Sequence, residues 1–511
     1  MTGRHPLHSV ATIRSIEEAA LRMLPPYTLM QRAGKAAAAF ALELLADADG
    51  MPPVLVLAGP GNNGGDALEA ASLLAHARCD VTVLMTGDIA QLPSDAHQAY
   101  LRAVASHIVF LEPEQYDAVT RTDWALIIDG LFGIGLARPL SGHWQQLVET
   151  INVLPAPILS LDVPSGLDAD TGTVVGGTEG IAVRATHTLT FIGDKPGLHT
   201  CDGRDHAGAV SVACLDIAPE SFAVSSTPMV LNSIAAFSPA LRRRPHNSHK
   251  GSYGDVVVLG GAAGMSGAVI LSARTAAKCG AGRVFVASIA DTPAYDSQQP
   301  ELMCRAAADI DFSGRTTVAG PGMGTSRQAH DLLAQALATQ APLVLDADAL
   351  NLISEEPALR HKLQSRRAPA LLTPHPLEAA RLLGTTTEQV QANRIDAART
   401  LATTLHAVVV LKGSGSVIAS PDGRIAINPT GNPALATAGS GDVLSGVCGA
   451  LLGQQWPIWE AALAAVWLHG AAADELVRRG IGPIGVVASE LIPEIRALLN
   501  RLIAEHAPHT N

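Results

Sequence analysis

The chain has 511 residues and carries 47 Asp and Glu against 35 Lys and Arg, a formal net charge of −12. That balance excludes a general nucleic-acid or anionic-membrane binder, and aromatic residues at 4% leave few platforms for stacking single-stranded bases. Hydrophobic residues at 48% and charged residues at 16% exclude disorder and point to a large buried core, with length enough for about three domains of ~150 residues or two larger ones.

Short β-branched runs ending in Gly or Asp recur, each followed by an Ala/Leu-rich segment of helical length. In chain order, a helical opening LMQRAGKAA (Leu29–Ala37) precedes the strand Val54–Ala58. The strand runs into GPGNNGGD, residues 59–66, with a helix expected from Ala67. Val81–Met85, Ala125–Asp129 and Ile158–Asp162 follow, the last two ending in an acid. Between about Pro219 and Pro245 the rhythm breaks into prolines, serines and the basic cluster Arg242–Arg244, so a domain boundary is expected near 220–235. The pattern restarts with Val256–Gly260, Arg283–Ser288, Leu343–Asp346, Ala370–Thr373 and Val408–Leu411. Apolar strands alternating with helices are the mark of parallel sheets covered on both faces, so the fold class is α/β. The tail Ala504–Asn511 is polar and expected to fray.

The six cysteines (Cys79, Cys201, Cys214, Cys279, Cys304 and Cys448) form no CxxC pair and no zinc-spaced cluster. They read as small core residues of a reducing, cytoplasmic protein. Met1–Leu24 lacks the apolar run of a signal peptide, and Gln454, Gln455 and Pro457 break the most apolar stretch, Val443 to Trp459.

Ligands of such folds sit at the carboxyl ends of strands, so the loops there carry the chemistry. Gly59, Gly61 and Gly64 satisfy GxGxxG literally, which would suggest an NAD(P)-dependent oxidoreductase or a dinucleotide sensor. Against this, the Asp66 carboxylate would repel a pyrophosphate at a helix N-terminus, and Asn62 and Asn63 add amide oxygens suited to a cation or polar ligand. A tight turn capped by Asp66 is the plain alternative. Asp129 and Asp162, each at a strand end before a glycine turn, can serve as general acid/base or cation ligand, and either alone could be only an Asx-turn. Arg138 offers an anion contact. In the second half, Lys412 beside Gly413 and Gly415 reads as a nucleotide loop without a Walker A motif, and AGSGD (Ala438–Asp442) as an anion hole with an adjacent base. The loops GPGMG, LDADALN and TPHPLE, at Gly320, Leu345 and Thr373, accompany them.

GPGNNGGD, IIDGLFGIGL and LDVPSGLDADTG, in this order, resemble the N-terminal domain of the NAD(P)H-hydrate epimerase family over about residues 1–220. The second set of loops resembles the ribokinase-like, ADP-dependent NAD(P)H-hydrate dehydratase family over about 240–500. The resemblance implies a Rossmann-like three-layer epimerase domain over 1–225 and a ribokinase-like three-layer dehydratase domain over 230–511. It implies that Asn62, Asn63, Gly64, Gly65 and Asp66, with Gly133, Ile134, Gly135, Leu136, Ala137, Arg138 and Pro139, contact the hydrated dinucleotide. It further implies that Asn63, Asp129 and Ser165 hold K+ and that Asp162 is catalytic. In the second domain, Ala268, Gly324, His375 and Asp442 would contact the hydrate, Asp442 as the catalytic base. Lys412, Gly413, Ser414, Gly415, Ser416 and Gly441 would hold the adenine nucleotide, with Mg2+ carried by its phosphates. The implied substrates are the hydrates of NADH and NADPH, with ADP as phosphoryl donor, no nucleic acid or membrane partner, and a homo-oligomer, a tetramer among the candidate states. Departures from the family pattern are Ala67 for Gly after NNGGD, Leu377 for Gly in TPHPGE, and Ser440 for Thr in GTGD. A ribokinase-like small-molecule kinase explains the second domain but leaves Asp129 and Asp162 without a role.

Overall fold

In the strand Pro53–Ala58, Val54, Val56 and Ala58 enter one hydrophobic cluster while Leu55 and Leu57 enter another. Ile127 and Ile128 of the neighbouring strand Leu126–Gly130 divide in the same way. Successive side chains of a strand point to opposite faces, so a continuous apolar run is what a sheet with helices on both faces requires. Helices Val10–Leu21, Thr28–Leu44, Asn62–His76 and Ser94–Val104 supply the first cluster, and His143–Ile151 the second.

The computed structural model describes residues 5–48, 50–111, 115, 118–120, 123–218, 229–290 and 292–507. The chain divides into two compact units, Pro6–Pro228 and Met229–Asn511, the second including Met1–His5. In the first, the sheet runs in space Val109–Leu111, Asp80–Met85, Pro53–Ala58, Leu126–Gly130, Ile158–Leu161, His187–Phe191, Ala209–Ala213. All its pairings are parallel. Strand order reverses between Pro53–Ala58 and Leu126–Gly130, which opens a crevice at their carboxyl ends.

From Met229 onward the strands run Met229–Leu231, Ile425–Ile427, Val417–Ala419, Val408–Leu411, Ala370–Leu372, Leu343–Leu345, Thr316–Ala319, Asp255–Gly260, Arg283–Ser288, Met303–Ala306. Val408–Leu411, Val417–Ala419 and Ile425–Ile427 pair antiparallel because short loops join them. Helices Ser266–Lys278, Ser440–Gly453, Ile458–Arg478 and Ala488–His506 share one core with Val256, Val258, Val318 and Val410. Among the described residues no helix is long and apolar enough to cross a membrane.

The α/β class and the two-domain architecture are those expected. Several strands lack a sequence expectation: His187–Phe191 and Ala209–Ala213 alternate apolar residues with Thr or Ser, and Thr188 is buried with its hydroxyl donating to Ala207 O at 2.7 Å. Three expectations need correction. The helix after the first glycine loop begins at Asn62, with Gly61 as its N-cap, so NNGGD forms the first helical turns and Asp66 caps nothing. Close packing accounts for the glycines in these turns: a Cβ on Gly64 would stand 2.0 Å from Gly59 O, and one on Gly65 would stand 2.5 Å from Met30 Cε. Ile158–Leu161 stops one residue short of the expected Asp162, whose φ of 67° turns the chain out of the sheet. Residues 219–228 of the expected boundary, and 508–511 of the tail, lie outside the described residues, and the last helix persists to His506. The basic cluster is used internally: Arg243 donates to Ala504 O at 2.8 Å, and Arg244 donates to Gly280 O at 2.5 Å, both at helix C-termini, where a cation is favoured.

Candidate active sites

The crevice of the first unit is a cavity of about 450 Å³, within the range of small-molecule sites. Asn62, Asn63 and Asp66 line it from the first turns of helix Asn62–His76, Gly133–Leu136 from the loop after Leu126–Gly130, and Asp162 from the end of Ile158–Leu161. Gly133 has no side chain to spare: a Cβ there would stand 3.0 Å from Asp162 Oδ2 and 3.5 Å from the Asn63 side chain. Gly64 and Gly65 back the wall without lining it, and Ala137, Arg138 and Pro139 are exposed outside the lining.

Asp129 is fully buried and accepts from Ser165 Oγ at 2.6 Å, Ser165 N at 2.9 Å, Ser160 Oγ at 2.8 Å and Leu131 N at 3.2 Å. Burial nevertheless lifts its carboxyl above the ordinary range, against these donors. Ser165 also accepts from Phe132 N at 2.9 Å, tying this acid to the Gly133 loop. Asn63 is buried, and neither its Oδ1 nor its Nδ2 has a hydrogen-bond partner. Asp66 and Glu17 face Asp162 across the cavity. Burial first, and the Asp162 charge next, push both carboxyls up, Asp66 well above its ordinary value.

Asp162 accepts from Ile134 N at 3.3 Å and Phe191 N at 3.4 Å, and pairs with Lys195 Nζ at 2.7 Å. Lys195 is absent from the sequence expectations. Its setting, FIGDKPG, reads as an exposed turn, and only the fold buries it completely.

In the second unit the strand-end loops also converge. Helix Ser440–Gly453 has Gly439, whose φ is 88°, as its N-cap and no side-chain cap; Ser440 N donates to Thr437 O at 3.3 Å, which leaves the Gly441 and Asp442 amides to an anion. Lys412 Nζ lies 2.8 Å from Asp346 Oδ1 and 4.0 Å from Glu378 Oε2, and a Cβ on Gly441 would stand 3.4 Å from it. Lys412 is thereby raised, its acidic neighbours outweighing burial. Asp442, in the first helical turn, is pushed up to about 7 by burial and then by Asp346, with Lys412 opposing.

His375 caps helix Pro376–Leu383 and Glu378 closes the capping box: His375 N donates to Glu378 Oε2 at 2.8 Å, and the ring approaches Oε1 at 3.1 Å. Leu377 points outward, 46% exposed, so its departure from the family pattern leaves the cap intact. The Ser440 hydroxyl donates to Leu435 O at 2.8 Å, and Ala67 is buried within its helix against Gly130. Gly324 N donates to Asp348 Oδ2 at 2.8 Å, and Ala268 packs against the same loop at Gly322. The Lys412–Ser416 loop is fixed from below by Arg394, 1% exposed, which donates to Leu411 O and Lys412 O at 3.2 Å. Asp346, Glu378 and Arg394 are further residues without a role in the sequence expectations. The first two sit in quoted motifs, whereas Arg394 lies in a helix with no outward signal. Among the described residues no group of three or more His, Cys, Asp or Glu side chains is placed to hold a metal.

Two strand-end sites, each centred on a carboxylate in its own parallel α/β domain, define a two-domain α/β enzyme of small-molecule chemistry. Residues 256–496 match the family described as NAD(P)H-hydrate dehydratase, and residues 26–197 match the family described as YjeF-related protein N-terminus. The chain is 38% identical over 505 residues to the bifunctional NAD(P)H-hydrate repair enzyme Nnr of Coxiella burnetii, covering 97% of this chain and 99% of that one. It is 44% identical over 285 residues to the ADP-dependent (S)-NAD(P)H-hydrate dehydratase of Neisseria meningitidis, covering 54% of this chain and 95% of that one. A solved structure of the ADP/ATP-dependent NAD(P)H-hydrate dehydratase from Bacillus subtilis, co-crystallized with ATP/Mg2+, is 29% identical with a TM-score of 0.47, over 53% of this chain and 98% of that chain. The chain belongs to the family of bifunctional NAD(P)H-hydrate repair enzymes.

Proposed function

We propose that the first domain interconverts the R and S hydrates of NADH and NADPH, and that the second dehydrates the S hydrate with ADP, giving NAD(P)H, phosphate and AMP. The observation that carries this reading is a carboxylate at each place where a proton must move: Asp162 in the 450 Å³ cavity and Asp442 beside the open helix N-terminus. The hydrate's hydroxyl sits on the carbon next to the ring nitrogen, so its configuration inverts through a transient opened or iminium form. Asp162 serves this step as the proton-transfer group, and Asn62, Asp66 and Gly133–Leu136 surround the substrate.

Asn63, Asp129 and Ser165 would hold K+, and the buried Asn63 amide, without a hydrogen-bond partner, fits an oxygen ligand for a cation. Bound there, K+ would supply a fixed positive charge beside the reacting ring.

In the second domain Asp442, poised at about 7, takes the proton of the hydrate's hydroxyl as that oxygen attacks the β-phosphorus of ADP, whose bond to the bridging oxygen breaks and releases AMP. Lys412, its loop through Ser416, and the Gly441 amide bind the nucleotide phosphates, while Ala268, Gly324 and His375 flank the hydrate. Phosphate then leaves, which hydroxide does poorly, and loss of a proton from the neighbouring ring carbon restores the ring double bond. Mg2+ bound by the nucleotide phosphates would neutralise their charge.

The test mixes the full chain with S hydrate and each nucleotide and follows dihydronicotinamide absorbance. Recovery with ADP is expected. Recovery with ATP alone overturns the donor, and accumulation of a stable phosphorylated product favours a kinase instead.

A further inference from the structure

Asp162 enters the cavity from a left-handed backbone, φ 67°, and its two amide contacts, at 3.3 and 3.4 Å, lie at the long limit of a hydrogen bond. The short contact to its carboxylate is Lys195 Nζ at 2.7 Å. That ammonium is wholly buried and is held from the other side by Thr190 Oγ1 at 2.6 Å, Phe191 O at 2.9 Å and Gly193 O at 3.2 Å. Three neutral acceptors suffice for three N–H donors, so the ion pair to Asp162 is what the charge adds. A buried ammonium is costly to desolvate, and a packing role alone would be served by an apolar side chain. Lys195 does not line the cavity and so reaches the hydrate only through Asp162. Other charges facing the pair are Asp66 and Glu17 towards Asp162, and Glu17 and His8 towards Lys195, with Asp194 acting on His8 and engaged by His199 at 2.8 Å.

We infer that Lys195 is a positioning residue for epimerisation, fixing the direction and countering the charge of the Asp162 carboxylate through their buried ion pair. The inference rests on the reading of Asp162 as the proton-transfer group.

The experiment uses the full chain without nucleotide, so that only epimerisation proceeds, and resolves the two hydrates chromatographically. Lys195→Met is expected to lower kcat at least about tenfold, as misplacement of a proton-transfer group does, with KM changed less than about twofold. Lys195→Arg, which keeps the charge, recovers part of the loss. In an Asp162→Asn background the same Lys195→Met change costs nothing further in rate, and thermal unfolding shows less destabilisation there than in the wild-type background. An unimpaired kcat in Lys195→Met, or an equal stability loss in both backgrounds, overturns the inference. If Lys195→Met fails to fold, the Asp162→Asn/Lys195→Met chain, which removes both charges, is expected to fold; its failure overturns the inference as well. Near-normal epimerisation by Asp162→Asn would instead overturn the reading of Asp162 itself.

Discussion

At Asp442, burial and the charge of Asp346 act against Lys412, and the outcome is a carboxyl pushed up to about 7. A base must be ionised to accept a proton, so dehydration is expected to fall about tenfold per pH unit below that value and to level off above it. The check is kcat/KM for S hydrate at saturating ADP from pH 5.5 to 8.5, and a flat profile would exclude Asp442 as the titrating base. Asp442→Asn is expected to lose about 10²-fold or more of dehydration while leaving R/S interconversion unchanged. Asp66 shows the thermodynamic face of the same physics. Its folded-state carboxyl is held well above 3.8, mainly by burial, so the folded state binds the extra proton. Stability contributed by that proton is complete below 3.8 and declines as pH rises beyond it. Asp66→Asn keeps the shape and removes the titration, so its Tm should exceed that of the wild type by a margin that grows as pH rises above about 4 and levels off once the folded-state carboxyl has ionised. A margin that is constant with pH would contradict this assignment of the proton.

Elements meet at both sites through glycines that admit no side chain. A Cβ on Gly413, whose φ is 142°, would stand 2.5 Å from Arg394 Nη1, under the loop that carries Lys412. Gly413→Ala should therefore displace the loop and raise the KM for ADP about tenfold, a shift within the usual cost of a strained non-glycine backbone, with epimerisation unaffected. Steady-state kinetics with varied ADP decide it. The same packing explains what the sequence disclosed and what it hid. Strands such as Val408–Leu411 were readable because both faces are buried and the apolar run is unbroken. The start of helix Asn62–His76 was not, because Asn-Asn-Gly-Gly is poor helix-forming sequence, and the close approach of Gly59 and Met30 that calls for glycine at 64 and 65 comes from the fold. Asp162 and Asp442 announced themselves at strand and helix ends. Lys195 and Arg394 gave no local sign: Phe191 O and Gly193 O lie beside Lys195, but its carboxylate partner Asp162 and the Arg394 acceptors Leu411 O and Lys412 O are brought in from distant parts of the chain.

For the whole molecule, the two activities stand in series through one diffusible compound: the second domain consumes only the S hydrate, and the first supplies it from R. In a mixture of both epimers with excess ADP, the wild-type chain should restore all the dihydronicotinamide absorbance in one continuous rise. Asp162→Asn should give a rapid rise whose amplitude equals the S share, then a slow phase at the uncatalysed rate of epimerisation. Asp442→Asn should equilibrate the epimers and restore almost nothing. Mixing the two variants tests whether the sites must share a chain. Each chain then contributes one intact domain, and a free intermediate lets the Asp442→Asn protein feed R hydrate into the Asp162→Asn protein. Complete recovery at a rate that rises with the concentration of the Asp442→Asn partner is the expected result. A slow phase that the added partner does not accelerate would mean that the epimer is handed over within one chain, and release of the S hydrate into solution would no longer describe how the two carboxylates cooperate.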